Sequence, residues 1–181
     1  DFIKHEAARL SVARAKVATN ALRAFLRYGV YLGEINSDLI GSVPTVASWS
    51  MTGIPRAISP EHMQAVLDSC DRNTPIGKRD YAILMLLGHL GLRSGEIVSL
   101  TLDCIDWECS SIRVCGKGHQ STCLPIPFEV GQALADHLQY GRPICNDRAL
   151  FLRTLAPIKR LGAQQTIATI VNSAITRAGV V

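Results

Sequence analysis

The chain has 181 residues, of which 48% are hydrophobic and 19% are charged. This balance excludes a disordered tail and is sufficient to bury the core of one domain or slightly more. The longest apolar run, residues 81–87, is far shorter than the roughly 20 residues needed to cross a bilayer, so we expect neither a membrane span nor a membrane partner.

The net charge of +4 is concentrated at one end of the chain. Residues 1–32 contain six Lys and Arg against two acidic residues, whereas the other 13 basic and 13 acidic residues cancel. A local basic surface is typical of proteins that bind a polyanion. The six cysteines form no CxxC pair, so we expect reduced thiols and no metal or other cofactor.

The first predicted helix spans residues 11–32, with Ser11 as its N-cap and Gly33 at its end. One side of this helix is expected to face the core through Ala18, Leu22, Phe25, Gly29 and Leu32. The other side carries Lys16, Asn20, Arg23 and Arg27. These side chains either lie in water, as on any surface helix, or contact DNA. The absence of acidic residues between Glu6 and Glu34 favours DNA.

Residues 36–56 are rich in Ser, Thr, Gly and Pro and are predicted to form an interdomain linker. A helix is expected to begin at Pro60, because Ser59 can cap it. Residues 78–90 are apolar on nearly every side, which predicts a buried central helix. We expect His89, within this helix, to be a core histidine.

The segment after this helix contains the one convincing β pattern. Ile112 and Val114 alternate with polar neighbours, and Leu124 and Ile126 do the same on a returning strand. The pattern predicts a small antiparallel sheet with Gly116-Lys117-Gly118 at a hairpin tip. Prolines near the end of the returning strand place it at a sheet edge.

Further helices are expected around residues 130–138 and 167–178, with a short buried segment at 150–152 between them. The spacing of Ile167, Ile170 and Ala174 predicts a buried face on the last helix. The fold class is therefore α+β and mainly α, with a helical core and a small antiparallel sheet.

Two basic residues are candidates for a phosphate site. Arg93 follows the buried helix and Gly91, so its guanidinium is expected at a helix junction, where it can bind two oxygens of an anion. Lys117 lies between glycines and can approach the same anion as a proton donor. Glu96 is either an exposed acid in the first turn of the next helix or a brace that orients Arg93.

Three stretches of the chain resemble the tyrosine recombinases, also called phage-type integrases: GKRDYAILMLLGHLGLR, LLGHLGLRSGEIVSLTLDCIDW and IRVCGKGHQSTCLPIP. The resemblance extends more weakly from Arg14 to Val181. It implies that residues 1–35 are the C-terminal helical part of a truncated DNA core-binding domain. Residues 36–56 would then be the linker, and residues 57–181 the N-terminal portion of the catalytic domain.

The resemblance also implies a function. Proteins of this family carry out site-specific recombination or integration of double-stranded DNA through a 3′-phosphotyrosine intermediate, as protomers assembled on DNA in the bacterial cytoplasm. Arg93 and Lys117 stand at the positions of the first catalytic arginine and the lysine general acid, and Glu96 at that of a supporting carboxylate. The expected DNA contacts are Lys16, Arg23, Arg27 and His119. Many relatives have a further basic residue where this chain has His119 and Gln120.

The family also uses a His-x-x-Arg pair and a tyrosine nucleophile. The 181 residues contain no His-x-x-Arg, and we expect packing or surface roles for the four tyrosines, Tyr28, Tyr31, Tyr81 and Tyr140. The chain is therefore expected to be a fragment that binds DNA weakly and is inactive alone. Two alternatives stay open: a noncatalytic DNA-binding remnant, and a helical protein-interaction module in which Arg93 and Lys117 lie far apart.

Overall fold

A computed structural model describes residues 10–36, 38–46, 58–116, 120–162 and 164–180, without the side chains of residues 164 and 165. The chain divides into two compact units, residues 1–57 and residues 58–181. None of the described helices is both long and apolar enough to cross a membrane.

The first unit contains helix α1, Val12–Tyr31, and the single turn α2, Asp38–Gly41. Ser11 caps α1 as predicted, because its hydroxyl accepts a hydrogen bond from the backbone N–H of Arg14 at 3.4 Å. The helix ends before Gly33, which has a φ of +74°. The bounds predicted for this helix are therefore confirmed to within one residue.

The predicted core side of α1 is only partly correct. Ala15 and Thr19 are its buried residues, whereas Phe25 is 68% exposed and Leu32 is 50% exposed. Ala18 is exposed as well, while Leu22 and Gly29 are half-buried. The chain after the helix folds back so that Ile35 lies against Gly29. Ile35 therefore covers the predicted stripe at Gly29, whereas Ala15 and Thr19 are buried on an adjacent stripe.

The second unit is mainly helical, which confirms the predicted fold class. Its helices are α3 (Pro60–Asp68), α4 (Pro75–Leu90), α5 (Ser94–Ser99), α6 (Phe128–Asp136) and α7 (Gln164–Ala178). A 3-10 turn at Leu102–Cys104 precedes the strands β1 (Ile105–Asp106), β2 (Ser111–Cys115) and β3 (Ser121–Pro125), and a π turn at His137–Gly141 follows α6. The three strands form one antiparallel sheet in the order β1-β2-β3.

Helix α4 forms the centre of this unit, and two details differ from the prediction. It begins at Pro75 rather than Lys78, because the Thr74 hydroxyl accepts a hydrogen bond from the N–H of Gly77 at 3.0 Å and proline suits the first helical position. The prediction that His89 is a core residue is wrong, since this side chain is exposed. Full burial along α4 ends at Leu86; Leu87 and Leu90 still pack against the core, while His89 lies on the solvent side of the last turn.

The sheet packs one face against the helices. Ile112 is 0% exposed and Val114 is 5% exposed, while the residues between and beside them are exposed or half-buried. Strand β3 lies at a sheet edge, as its prolines predicted. The core continues through the buried segment 150–152 and the predicted face of α7, where Ile167, Ile170 and Ala174 are buried. Val114 and Leu124 of the sheet line one cavity with residues 90–92, so the sheet lies beside the end of α4.

A buried ion pair lies within α4, and its arginine also contacts the chain at residue 152. Arg79 and Asp80 are each 8% exposed, and Arg79 Nε and Nη2 donate to Asp80 Oδ1 at 2.9 and 2.7 Å. Arg79 Nη1 also donates to the Leu152 carbonyl at 3.4 Å. Both charges are thus paired within the fold, which is the condition for burying them at tolerable cost.

Replacing Asp80 with alanine should lower the free energy of unfolding by about 3 kcal/mol, because Arg79 would stay buried without its carboxylate. Urea denaturation of the two proteins measures this difference. Asp68→Ala is the matched control, since Asp68 is exposed on α3 and its loss should change stability by no more than about 0.5 kcal/mol. Equal losses in the two variants would contradict the assignment.

Candidate functional site

The junction between α4 and α5 places Arg93. Gly91 follows α4 with φ +62° and ψ +26°, a left-handed conformation that glycine adopts without strain. The chain then turns so that Leu92 is only 5% exposed, while Arg93 stands immediately before α5. The backbone on both sides of Arg93 is therefore held by packed elements, as the sequence predicted.

Glu96 orients Arg93 through two hydrogen bonds. Its Oε2 accepts from the Arg93 backbone N–H at 2.7 Å, and its Oε1 accepts from Arg93 Nη1 at 2.9 Å. The Arg93 side chain is 82% exposed and that of Glu96 only 11%. The backbone hydrogen bond, together with the adjacent guanidinium, holds the pKa of the Glu96 carboxyl below its usual value. The carboxylate thus stays ionised while the exposed part of the guanidinium can bind an anion.

Arg93 and Glu96 line a cavity of about 230 Å³ that also reaches the base of the β2–β3 hairpin. Its lining residues are Leu90, Gly91, Leu92, Arg93, Glu96, Val114, Gly116, Thr122 and Leu124. The N–H of Gly116 donates to the Gln120 carbonyl at 2.8 Å, which closes the base of the hairpin. Lys117 and His119 lie outside the described residues, so their contribution to the site stays a prediction.

Thr122 also lines this cavity, although no sequence motif predicted it. It pairs with Val114 in the β2–β3 register, and the two residues lie on the same face of the sheet as Ile112 and Leu124. Unlike these neighbours it is exposed, and its hydroxyl is a further polar group in the cavity. The two-residue spacing of Thr122 and Leu124 along β3 was the available signal. This spacing places both residues on one face of the strand, but it does not indicate a cavity.

The predicted DNA contacts of the first unit differ in exposure. Lys16 and Arg27 are exposed. Arg23 is half-buried, and its Nη2 donates to the Val43 carbonyl at 2.8 Å. Arg23 therefore has a structural contact within this unit, whereas the other two side chains project into solvent. Their binding to DNA stays a prediction.

Neither tyrosine of the second unit, Tyr81 or Tyr140, is among the described residues that line the cavity containing Arg93. Tyr28, Tyr31 and Tyr140 are exposed. Tyr81 is half-buried, and the Cζ atom of Arg72 lies over its ring, 4.9 Å from the ring centroid. Within the described ranges, no group of three or more His, Cys, Asp or Glu side chains could hold a metal ion.

The sequence profile of the phage integrase family matches residues 56–181, well over half of the chain, and the chain belongs to this family of tyrosine recombinases. The chain is 47% identical over 180 residues to the integrase/recombinase y4rA of Sinorhizobium fredii, covering 99% of this chain and 44% of that protein. It is 30% identical over 142 residues to the tyrosine recombinase XerD of Lacticaseibacillus casei, covering 78% of this chain and 48% of that one. The chain thus spans about half the length of these relatives or less.

Solved recombinase structures share the fold. A lambda integrase dimer bound to a COC′ core site superposes with a TM-score of 0.74 at 13% identity, covering 98% of this chain and 62% of that one. The XerH recombinase bound to its difH substrate superposes with a TM-score of 0.69 at 20% identity, covering 99% of this chain and 52% of that one. XerA recombinase superposes with a TM-score of 0.61 at 21% identity, covering 96% of this chain and 57% of that one. The resemblance inferred from the motifs around Arg93 is confirmed at the level of family and fold.

Proposed function

We propose that this chain is part of an enzyme that cleaves and rejoins double-stranded DNA at specific sites through a 3′-phosphotyrosine intermediate. A tyrosine oxygen attacks the scissile phosphorus and the bond to the 5′ oxygen breaks. The new phosphotyrosine bond conserves the energy of the phosphodiester, so the reverse attack by a 5′ hydroxyl rejoins DNA without ATP. The family membership supports DNA recombination, and the geometry around Arg93 supports a role in this step.

In this mechanism Arg93 binds the non-bridging oxygens of the scissile phosphate. The attack increases the negative charge on these oxygens, and a planar guanidinium that is already oriented stabilises that charge without reorganisation. Glu96 is a positioning residue, since it contacts Arg93 through two hydrogen bonds. Its lowered pKa keeps it charged at neutral pH.

Lys117 is the proposed general acid, which gives its proton to the departing 5′ oxygen. The observation that carries the proposal is the shared cavity, since Arg93 and the hairpin base at Gly116 line the same space. Lys117 follows Gly116 directly in the sequence. An interaction module in which Arg93 serves only as a salt-bridge residue would not require this proximity.

The proposed partners are duplex DNA and other protomers bound to it. Among proteins of the same fold, lambda integrase has been solved as a dimer on a core site and as a tetramer on a Holliday junction. In this chain Lys16, Arg27 and Arg23 of the first unit, together with His119, are the proposed DNA contacts. We place residues 1–35 in a core-binding domain, residues 36–56 in a linker and residues 57–181 in a catalytic domain.

The 181-residue chain should bind DNA reversibly without forming a covalent bond to it. It contains no His-x-x-Arg, and neither Tyr81 nor Tyr140 of the second unit is among the described residues that line the Arg93 cavity. A noncatalytic DNA-binding remnant is the second candidate function, because exposed cations can bind DNA reversibly without any catalytic step. The two candidates differ in the activity of a longer protein that includes this chain.

The charge-neutralising variant Lys16→Ala/Arg27→Ala should weaken DNA binding and flatten its salt dependence. Each lost phosphate contact should reduce the slope of log K against log salt concentration by about 0.9. Fluorescence anisotropy with a labelled 30-base-pair duplex over a salt series measures both quantities. Arg23→Ala is the comparison, and we expect it to lower thermal stability with a smaller effect on the slope. An unchanged slope in the double variant would remove α1 from the DNA surface.

Covalent DNA capture tests the proposed function itself. The chain continuous with its downstream sequence is incubated with nicked duplexes of randomised sequence, and protein–DNA adducts that survive detergent are isolated. The enzyme should yield adducts that are sensitive to protease, and the 181-residue chain should yield none. Reversible DNA binding with no adduct from the longer protein would favour the noncatalytic remnant.

A further inference from the structure

A second cavity, of about 280 Å³, lies away from Arg93 between the β1–β2 turn and the start of α6. We call this cavity the α6 groove, and it is lined by Trp107, Ser110, Ile126, Pro127, Phe128, Gly131, Gln132 and Ala135. It shares no lining residue with the Arg93 cavity. Trp107 is 50% exposed and Phe128 is 74% exposed, so two aromatic side chains remain in water beside an open apolar surface.

The groove arises from the sequence of α6, which has two apolar stripes. Val130, Ala133 and Leu134 are buried in the core. Phe128, Gly131 and Ala135, at spacings of three and four, form the second stripe, which faces the groove. Only the first stripe packs in the core of the described residues, which leaves the second stripe open to a partner. Exposed apolar surface of this kind often marks an interaction site.

The groove is flanked by negative charge. Glu129 and Asp136 lie seven residues apart on α6, which places them on one side of the helix, next to the groove residue Gln132. Glu108 follows Trp107 in the opposite wall, and all three acids are exposed. The sequence contains no Lys or Arg in 101–112 or in 120–141. This surface would repel DNA phosphates.

From these observations we infer that the α6 groove binds a basic peptide segment of a partner protein, anchored by a large apolar side chain. The apolar floor accommodates the anchor, and the acids on α6 and at Glu108 attract Lys or Arg beside it. The volume is below the range typical of small-molecule sites and suits a single side-chain anchor. The inference concerns a surface outside the proposed reaction and does not depend on it.

Trp107 provides the readout for a direct test. In a Trp49→Phe background Trp107 is the only tryptophan, and its emission should shift on titration with the peptide acetyl-KKLFKK-amide. The double variant Glu129→Gln/Asp136→Asn should raise the dissociation constant at least ten-fold. Gly131→Leu should do the same by filling the groove, and a Cβ at Gly131 would make an ordinary van der Waals contact at 3.6 Å with Ile126.

Controls separate the groove from general charge attraction. Glu61→Gln/Asp68→Asn removes two exposed acids with the same seven-residue spacing on α3 and should leave the affinity unchanged. The peptides acetyl-KKAAKK-amide and acetyl-EELFEE-amide should bind at least ten-fold more weakly. Unchanged affinity in the α6 variants would overturn the inference. So would self-association, measured by sedimentation, that depends on Glu129 and Asp136, because the occupant would then be a second copy.

Discussion

Arg93→Ala is expected to lower the rate of covalent DNA capture by the longer protein about 10²- to 10³-fold, the loss typical of removing one preorganised donor to a transition-state charge. Glu96 holds the guanidinium at 2.9 Å and leaves its side chain 82% exposed toward solvent. The interaction with the phosphate therefore requires no rearrangement of Arg93. Single-turnover capture at saturating enzyme separates this loss from weaker DNA binding.

Two further variants test how Arg93 acts. Arg93→Lys should recover only a small part of the rate, because an ammonium cannot bind two oxygens in the geometry of a guanidinium. Glu96→Gln should lose about 10- to 100-fold, as expected when a supporting residue is removed and the functional group remains. Capture by Arg93→Ala at the wild-type rate would exclude this residue from the reaction.

Lys117→Ala should lower the capture rate about 10²- to 10⁴-fold with normal DNA, the contribution typical of general acid catalysis. The proposed role is to protonate the 5′ oxygen, which is a poor leaving group as an alkoxide. In a substrate with sulfur in place of that oxygen, the leaving group is a thiolate, and thiols ionise near pH 8.5. The sulfur substrate should therefore restore capture by Lys117→Ala to within about ten-fold of wild type.

The sulfur substrate also distinguishes the two cations. Arg93→Ala should remain slow with it, because the charge on the non-bridging oxygens is unaffected by the leaving atom. Rescue of both variants, or of neither, would contradict the division of roles between Arg93 and Lys117. Rate constants from quenched time courses with the two substrates provide the comparison.

The helices around Arg93 were predictable because local signals determine them. Ser59 and Pro60 begin α3, Gly91 ends α4, and Gly179 ends α7, as expected from capping and left-handed conformations. The strand alternation at Ile112 and Val114 was equally local. In each case the interaction that fixes the element lies within a few residues along the chain.

Predictions that depended on burial were less successful. On helix α1 the buried residues Ala15 and Thr19 lie beside the predicted stripe, while Ile35 contacts that stripe at Gly29. Burial on this helix therefore depends on tertiary contacts that periodicity does not specify. His89 lies in an apolar run but is exposed, because it is on the solvent side of the last turn of α4, whose Leu87 and Leu90 pack against the core. The second apolar stripe of α6 was not anticipated, since periodicity cannot distinguish a core face from an unoccupied groove.

The order of Arg93, Glu96 and the glycine-flanked Lys117 was sufficient to identify the family and to predict an anion site. The family resemblance favoured Glu96 as a brace for Arg93 over an exposed first-turn acid, and the structure shows its carboxylate hydrogen-bonded to Arg93. The cavity that joins Arg93 to Gly116 and Thr122 depended on long-range packing of the sheet beside the end of α4. Such packing involves residues far apart in sequence, and for this reason it emerged only from the tertiary structure.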